Sequence, residues 1–122
     1  MPKYFAPEIF EKEEYSKSSD VYAFSLIIYE IESGKSPFSG QTIYQIMTEV
    51  MKGDRPSLDE SVPKCYRQLI EKCWSQNPTK RPSFDQIIQE LETNKEFLKF
   101  DDDETKTFQL YIKFINEYVK KI

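Results

Sequence analysis

The chain has 122 residues, of which 39% are apolar, 31% charged and 15% aromatic, a composition that predicts one folded domain and excludes intrinsic disorder. Its net charge of −4 provides no basic face, which argues against nucleic acid and anionic membranes as partners. The longest apolar run, residues 21–31, is too short to span a bilayer, and with charges at residues 11–14 the first residues are not expected to be a signal peptide. We therefore expect a soluble, cytoplasmic protein.

The first ten residues, MPKYFAPEIF, combine two prolines with three aromatic side chains. Proline fixes its own φ and restricts the residue before it, so Pro2 and Pro7 are expected to hold this segment extended. The aromatic rings need a surface to lie against. The segment is therefore predicted to run along the surface of the remaining fold.

Residues 20–32, DVYAFSLIIYEIE, predict a helix that is apolar on all sides. Such a helix, when it is too short for a membrane, belongs in the middle of a core. Ser18, Ser19 and Asp20 offer capping groups at its start, and Gly34 can end it.

Three further segments have the one-sided apolar spacing of amphipathic helices. The first covers residues 43–50 and closes at Gly53, the second follows Pro63 and runs to Cys73, and the third covers residues 84–91. Ser83 followed by Gln86 forms a capping-box pattern for the third helix. No segment alternates with period two for long enough to predict a strand, so the predicted class is all-α.

The two cysteines, Cys65 and Cys73, lie eight positions apart in one helical pattern. A helical rise places them roughly 12 Å apart, which is too far for a disulfide. With no histidine in the chain, a zinc site would need ligands from another chain. We expect two packed thiols.

The last segment differs from the rest. Acidic residues at 101–104 and lysines at 120 and 121 suit the two ends of a helix. Between them, apolar residues recur with alternating spacings of three and four, as in a coiled-coil seam: Phe108, Tyr111, Ile115, Tyr118 and Ile122. Because the repeat is short and the stripe is wide, docking onto the chain's own core is favoured over a coiled coil.

Three fragments together resemble the closing part of a protein kinase catalytic domain: APE at 6–8, SDVYAFSLIIYEI at 19–31 and CWSQNPTKRPSF at 73–84. Their order and separation also fit that family. The last fragment is similar to the tyrosine-kinase-like branch, whereas PKYFAPE looks like a serine/threonine enzyme. The resemblance implies a partial C-lobe over residues 1–93, with the end of the substrate loop and the last four main helices. Residues 94–122 would then be an extension made of a linker and an amphipathic helix.

The resemblance also implies roles for individual residues. Pro2, Lys3 and Tyr4 match the loop that lies beside the phosphorylated residue of a protein substrate. Glu8 matches a glutamate that pairs with an arginine in the position of Arg81, and such a pair can be bidentate. The alternative is that the two are separate surface charges.

Asp20 matches an aspartate that anchors the central helix to the catalytic loop. The alternative is that it caps the helix. Trp74, the one tryptophan, matches a packing residue, and we predict a place in the core rather than a role in ligand stacking.

Phosphoryl transfer needs a glycine-rich lid over the phosphates, a phosphate-binding lysine, a catalytic aspartate and metal-binding groups. The chain has three glycines, none of them in a G-x-G pattern, and neither His-Arg-Asp nor Asp-Phe-Gly. Asp101–Asp103 follow the kinase-like portion and precede a helix, so a solvated acidic cap is favoured over a magnesium site. We expect no catalytic, cofactor-binding or metal-binding residue in this chain, although ATP and Mg²⁺ serve the parent family.

Three interpretations remain open from the sequence. The chain could be a fragment of an ATP-dependent serine/threonine kinase, a non-catalytic helical interaction module, or a pseudokinase remnant completed by a separately encoded lobe. The expected partners are the N-terminal kinase half, or another protein bound through exposed apolar surface, and a protein substrate in the parent family. Since the central helix of a kinase touches the catalytic loop, we also expect one side of this helix to expose apolar surface.

Overall fold

The computed structural model describes residues 2–99 and residue 113. The regular elements of this part of the chain are all helical, which confirms the all-α class. The α-helices are α1 (Pro7–Lys12), α2 (Lys17–Ser33), α3 (Ile43–Lys52), α4 (Lys64–Cys73) and α5 (Phe84–Thr93). Short 3-10 turns cover Pro2–Tyr4, Pro78–Lys80 and Lys95–Lys99. Among the described residues, no helix combines the length and the apolar character that a membrane crossing requires.

The chain divides into two compact units, Met1–Pro82 and Ser83–Ile122. The first unit contains α1 to α4, and the second begins with α5. Contacts between residues define this division after Pro82. The boundary after residue 93 separates the kinase-like portion from the extension, and it stays a prediction.

The first residues are helical, so the prediction of an extended segment is wrong. Pro2 opens a 3-10 turn in which the Phe5 amide donates to the Pro2 carbonyl at 3.0 Å. Pro7 is the first residue of α1. A φ near −65° suits a first helical position, where the missing N–H costs no intrahelical bond. Ala6, the residue before Pro7, is extended, with ψ at 157°, because the proline ring disfavours the helical region there.

The central helix α2 begins at Lys17, earlier than predicted, and Ser16 is its N-cap. The Ser16 hydroxyl accepts a hydrogen bond from the Ser19 amide at 3.1 Å. Ser18, Ser19 and Asp20 therefore lie inside the first turn, and the prediction that they cap the helix is wrong. The helix ends as predicted at Gly34, whose φ of 72° is accessible to glycine without strain.

Most apolar side chains of α2 are buried on several faces, as the sequence predicts. Leu26 and Ile28 are fully buried, while Ile31 is 51% exposed. The expectation that one side of α2 is bare is wrong for the described residues, because α4 packs along α2 within the first unit. The other large apolar side chains that are exposed in the described residues lie outside α2: Tyr15, Ile43, Tyr44 and Met51.

The remaining helices of the first unit have clear local signals. Thr42 and Gln45 form a capping box at the start of α3, and Gly53 ends it with φ at 98°. Pro63 is the N-cap of α4 and precedes its first turn. Cys65 and Cys73 are buried thiols, as predicted.

The second unit begins with the predicted capping box. The Ser83 hydroxyl accepts from the Gln86 amide at 3.1 Å, and the Gln86 side chain accepts from the Ser83 amide at 2.9 Å. Phe84, Ile87 and Leu91 are the buried residues of α5, which is the predicted stripe. A 3-10 turn over Lys95–Lys99 follows. Apart from Lys113, the predicted tail helix and the acidic residues Asp101–Asp103 lie outside the described residues.

Candidate functional site

Glu8 and Arg81 form a bidentate ion pair in the first unit. Arg81 Nη1 lies 2.7 Å from Glu8 Oε2, and Arg81 Nη2 lies 3.0 Å from Glu8 Oε1. The Arg81 side chain is fully buried and the Glu8 side chain is 14% exposed. Two parallel charge-assisted hydrogen bonds fix the planes of both groups as well as their separation. The structure therefore brings these two predicted residues together, 73 positions apart in sequence.

Additional hydrogen bonds hold each partner of the pair in place. Arg81 Nε donates to the Ser75 carbonyl at 2.9 Å, and Nη1 donates to the Ser18 carbonyl at 3.1 Å. The Ser19 hydroxyl donates to Glu8 Oε2 at 3.0 Å. Burial acts to raise the pKa of Glu8, but the hydrogen bonds from Arg81 and Ser19 outweigh it and the net pKa is lowered. Glu8 is therefore ionised at neutral pH, as a partner of Arg81 must be.

Local sequence places the two partners. Glu8 lies in the first turn of α1, where a carboxylate also faces the positive end of the helix. Arg81 follows the 3-10 turn of Pro78–Lys80, which is capped by the Asn77 side chain. Since Arg81 is extended, with ψ at 140°, its side chain leaves the turn and reaches the start of α2.

Two guanidinium groups lie close to the Tyr22 ring. The central carbon of Arg55 is 5.1 Å from the ring centroid, and that of Arg81 is 5.3 Å away. Burial raises the pKa of Tyr22, so the ring stays neutral and can accept both cations as a π system. Its buried hydroxyl has no hydrogen-bond partner among the described residues. The ring thus adds a second fixed contact to Arg81.

Arg55 is a site residue that sequence reasoning missed. Its Nε donates to the Trp74 carbonyl at 3.0 Å, and Nη2 donates to Gln76 Oε1 at 2.7 Å. Burial lowers the pKa of the Arg55 guanidinium, yet an arginine stays charged at neutral pH. Arg55 stands in a loop without a periodic pattern, and the sequence DRPS offered no signal beyond a turn. Trp74 itself is buried and lies 6.4 Å from the Tyr29 ring, which places it in the core.

The three predicted substrate-loop residues lie together in the first 3-10 turn. The Tyr4 hydroxyl donates a hydrogen bond to Glu30 Oε1. Lys3 Nζ lies 3.3 Å from the Ser36 hydroxyl and 5.2 Å from the Tyr4 ring centroid. Pro2 is exposed. The turn is therefore attached to the second half of α2 and to the loop that follows it.

The Tyr4–Glu30 hydrogen bond has an electrostatic consequence. Burial, the hydrogen bond to Glu30 and the charge of Glu30 raise the pKa of Tyr4 to about 12. The phenol is therefore a permanent donor at neutral pH. Glu30 was not singled out from the sequence, because a glutamate near the end of an apolar helix has no diagnostic spacing.

Asp20 lies in the first turn of α2 and is half-buried. Among the residues that the structure describes, its carboxylate accepts no hydrogen bond. The alternative that Asp20 caps the helix is wrong, since Ser16 is the N-cap.

These contacts suit the site to holding a loop rather than to moving a proton. Glu8 is ionised and Tyr4 is neutral at neutral pH, so neither of these two groups titrates near pH 7. Together they attach residues 2–8 to α2 and to the turn before Arg81.

Comparisons of the sequence with known proteins point to one family. A family model described as protein tyrosine and serine/threonine kinase matches residues 1–91. A probable LIM domain-containing serine/threonine-protein kinase of Dictyostelium discoideum is 39% identical over 95 residues, which is 78% of this chain and 10% of that protein. The serine/threonine/tyrosine-protein kinase HT1 of Arabidopsis thaliana is 37% identical over 98 residues, 80% of this chain and 25% of HT1.

A third relative is mitogen-activated protein kinase kinase kinase 7 of Bos taurus, 37% identical over 87 residues, 70% of this chain and 15% of that kinase. The chain thus spans between 10% and 25% of the length of these three relatives. The kinds of kinase among these relatives agree with the tyrosine-kinase-like branch that the sequence predicts. This chain belongs to the protein tyrosine and serine/threonine kinase family.

Proposed function

We propose that residues 1–93 are the closing part of the C-lobe of an ATP-dependent serine/threonine protein kinase, and that they hold the substrate loop in place. The observation that carries this proposal is the ion pair of Glu8 with Arg81, which ties α1 to the turn after α4. Residues 2–4 are linked to the same body through the Tyr4–Glu30 hydrogen bond. A loop that must present a substrate hydroxyl in line with a phosphate gains rate from such positioning.

The ATP site belongs, in this proposal, to another part of the kinase domain. Phosphoryl transfer relies on phosphate-binding and metal-binding groups that the sequence of this chain does not display in any recognised motif. Residues 2–8 and Asp20 would then meet those groups at the edge of the lobe, with Asp20 accepting hydrogen bonds from the catalytic loop. We expect no ATP turnover by this chain alone, and a cytoplasmic location for the whole kinase.

A chimera tests the proposal. Residues 2–91 replace the matching segment of HT1, and the transfer of labelled phosphate from ATP to a generic protein substrate is measured. We expect an active chimera, because the segment supplies an equivalent loop anchor. In the chimera, Arg81→Gln should lower kcat/KM at least about tenfold, since it loosens the positioned loop.

Lys80→Gln provides the matched control, since Lys80 is the exposed neighbour of Arg81. The proposal fails if a folded chimera that binds ATP transfers no phosphate. It also fails if the two variants lose activity equally.

The alternative is a non-catalytic interaction module. Tyr15 and Tyr44 are exposed and could contact a partner protein. Neither contributes to the Glu8–Arg81 contact, so partner binding would add to the kinase role rather than replace it. Binding of a partner by the isolated chain, together with an inactive chimera, would select this alternative.

A further inference from the structure

The loop that follows α2 has a serine whose hydroxyl contacts the first turn of the chain. Ser36 is exposed and lies outside the regular elements, between Gly34 and the turn over residues 37–40. Its hydroxyl accepts a hydrogen bond from Lys3 Nζ at 3.3 Å, across 33 positions of sequence. A nucleophilic hydroxyl is therefore accessible from solvent with an ammonium group already beside it.

The sequence around Ser36 is distinctive within the chain. Ser36 is the one serine or threonine that is followed by a proline. Proline disfavours the helical region for the residue before it, so Ser36 is biased toward an extended backbone. Proline-directed protein kinases modify a serine or threonine in this setting. The setting distinguishes Ser36 from Ser39 and Thr42, the other exposed hydroxyl residues of the loop.

The nearest cation is available to a new anion. Lys3 is the only basic residue among residues 2–8, and in the described part of the chain its ammonium contacts the Ser36 hydroxyl and the Tyr4 ring rather than a carboxylate. The two neighbouring charges are already engaged, since Lys35 Nζ lies 3.4 Å from Asp59 Oδ2 and Glu30 accepts from Tyr4. A phosphate on Ser36 would therefore meet Lys3.

The end of α2 acts against such a phosphate. The helix ends at Ser33, shortly before Ser36, and the partial negative charge of a helix C-terminus repels an anion. A phosphoserine has a charge of about −1.5 to −2 near neutral pH and three strong acceptor oxygens. The sign of its effect here therefore depends on whether Lys3 faces it.

The backbone of the loop favours its opening. Pro37 is buried, so an enzyme that recognises this proline must first draw the loop away from the fold. Phe38 has φ at 56°, a left-handed conformation that costs free energy in a residue other than glycine. Releasing Phe38 from this conformation offsets part of the cost of opening the loop.

We propose that Ser36 is a phosphorylation site whose phosphate is held by Lys3, so that the modification fastens the turn over Pro2–Tyr4 to the loop after α2. In the reaction, the bond between the γ-phosphorus of ATP and the oxygen of the departing ADP breaks, and a bond to Ser36 Oγ forms. The hydroxyl proton passes to a base of the modifying kinase. A separate kinase binds the ATP, so this proposal goes beyond the proposed function and succeeds or fails independently of it.

Labelling tests the site itself. The full chain is incubated with a proline-directed serine/threonine kinase and ATP labelled in its γ-phosphate, and mass spectrometry locates the modified residue. We expect label on Ser36, none in Ser36→Ala, and unchanged labelling in Ser39→Ala. An unlabelled parent chain, or equal label in the parent and Ser36→Ala, overturns the proposal.

Phosphorus NMR tests the role of Lys3. Chains with a phosphate on Ser36 or, as the control, on the exposed Ser39 are made by genetically encoded incorporation of phosphoserine. The ammonium of Lys3 should lower the second pKa of the Ser36 phosphate, ordinarily about 6, by about half a unit. Lys3→Gln should abolish this shift and leave the Ser39 phosphate unchanged. A Ser36 phosphate whose pKa does not respond to Lys3→Gln overturns the proposal.

Thermal melting measures the consequence for the fold. The phosphate on Ser36 should raise the melting temperature of the chain by at least about 2 °C. In Lys3→Gln the same phosphate should lower the melting temperature, because it then meets only the negative end of α2. Without the phosphate, Lys3→Gln should melt like the parent, since Lys3 is half-exposed. A phosphate that destabilises the parent, or that shifts the parent and Lys3→Gln equally, overturns the proposal.

Discussion

Replacing Arg81 by alanine should destabilise the first unit much more than replacing its neighbour Lys80. The substitution removes two hydrogen bonds to Glu8 and those to the Ser75 and Ser18 carbonyls. It also leaves the Glu8 carboxylate, only 14% exposed, without its countercharge. Breaking one partner of a buried pair costs about 3–5 kcal/mol, and the partial exposure of Glu8 places the expected loss near the lower end.

Urea unfolding and thermal melting measure this loss. For a unit of this size, about 3 kcal/mol lowers the melting temperature by more than about 10 °C. Lys80→Ala should change the free energy of unfolding by less than about 0.5 kcal/mol, because Lys80 is exposed. Equal melting temperatures for the two variants would refute the account of the ion pair as a buried contact.

Three further outcomes follow from single contacts. The pKa of Glu8 is lowered from 4.5 in the folded chain. Its stabilising effect should therefore be complete above pH 4.5 and should fall as the pH drops through the pKa of the folded state. Urea unfolding at several pH values should show that the free energy of unfolding falls less at acid pH in Glu8→Gln than in the parent. The pKa of Tyr4 is raised from 10.0 to about 12, so the stabilisation by its hydrogen bond to Glu30 should disappear between about pH 10 and 12. An absorbance titration that is identical for the parent and Tyr4→Phe in that range would contradict the Tyr4–Glu30 contact. Ser83→Ala should cost about 1 kcal/mol of unfolding free energy, since it removes the capping box of α5, whereas an unchanged urea midpoint would show that the cap contributes nothing.

Helical periodicity and end signals predicted most of the fold. The helices α3, α4 and α5 follow spacings of three and four residues, and Gly34, Gly53 and Ser83 mark ends that the structure shows. These signals are local, so a single sequence contains them. The position of the N-cap of α2 could not be chosen the same way, because Ser16, Ser18, Ser19 and Asp20 are all residue types that cap helices.

For the N-terminal segment, local rules predicted extended structure, whereas the structure is helical. Proline excludes the helix interior but favours its first position, and the sequence does not say which case holds. Pro7 opens α1 because Ala6 before it can be extended while the residues after it are helical.

Part of the candidate site could be predicted from the sequence, and part is visible only in the folded chain. Glu8 and Arg81 could be predicted as partners only through family resemblance, since no spacing rule connects residues so far apart. Arg55 stacks on Tyr22 and donates a hydrogen bond to the Trp74 carbonyl. These contacts join residues far apart in the sequence, and no pattern in the sequence specifies them.

A double-mutant cycle on Glu8 and Arg81 tests the central claim most directly. Urea unfolding of the parent, Glu8→Gln, Arg81→Gln and the double variant yields their coupling free energy, with the exposed pair of Lys35 and Asp59, 3.4 Å apart, as the control cycle. The account predicts a coupling between about 1 and 3 kcal/mol for Glu8 with Arg81, and a smaller one for the control pair. Losses for the Glu8 and Arg81 variants that simply add would contradict the claim that this pair holds α1 to the segment around Arg81.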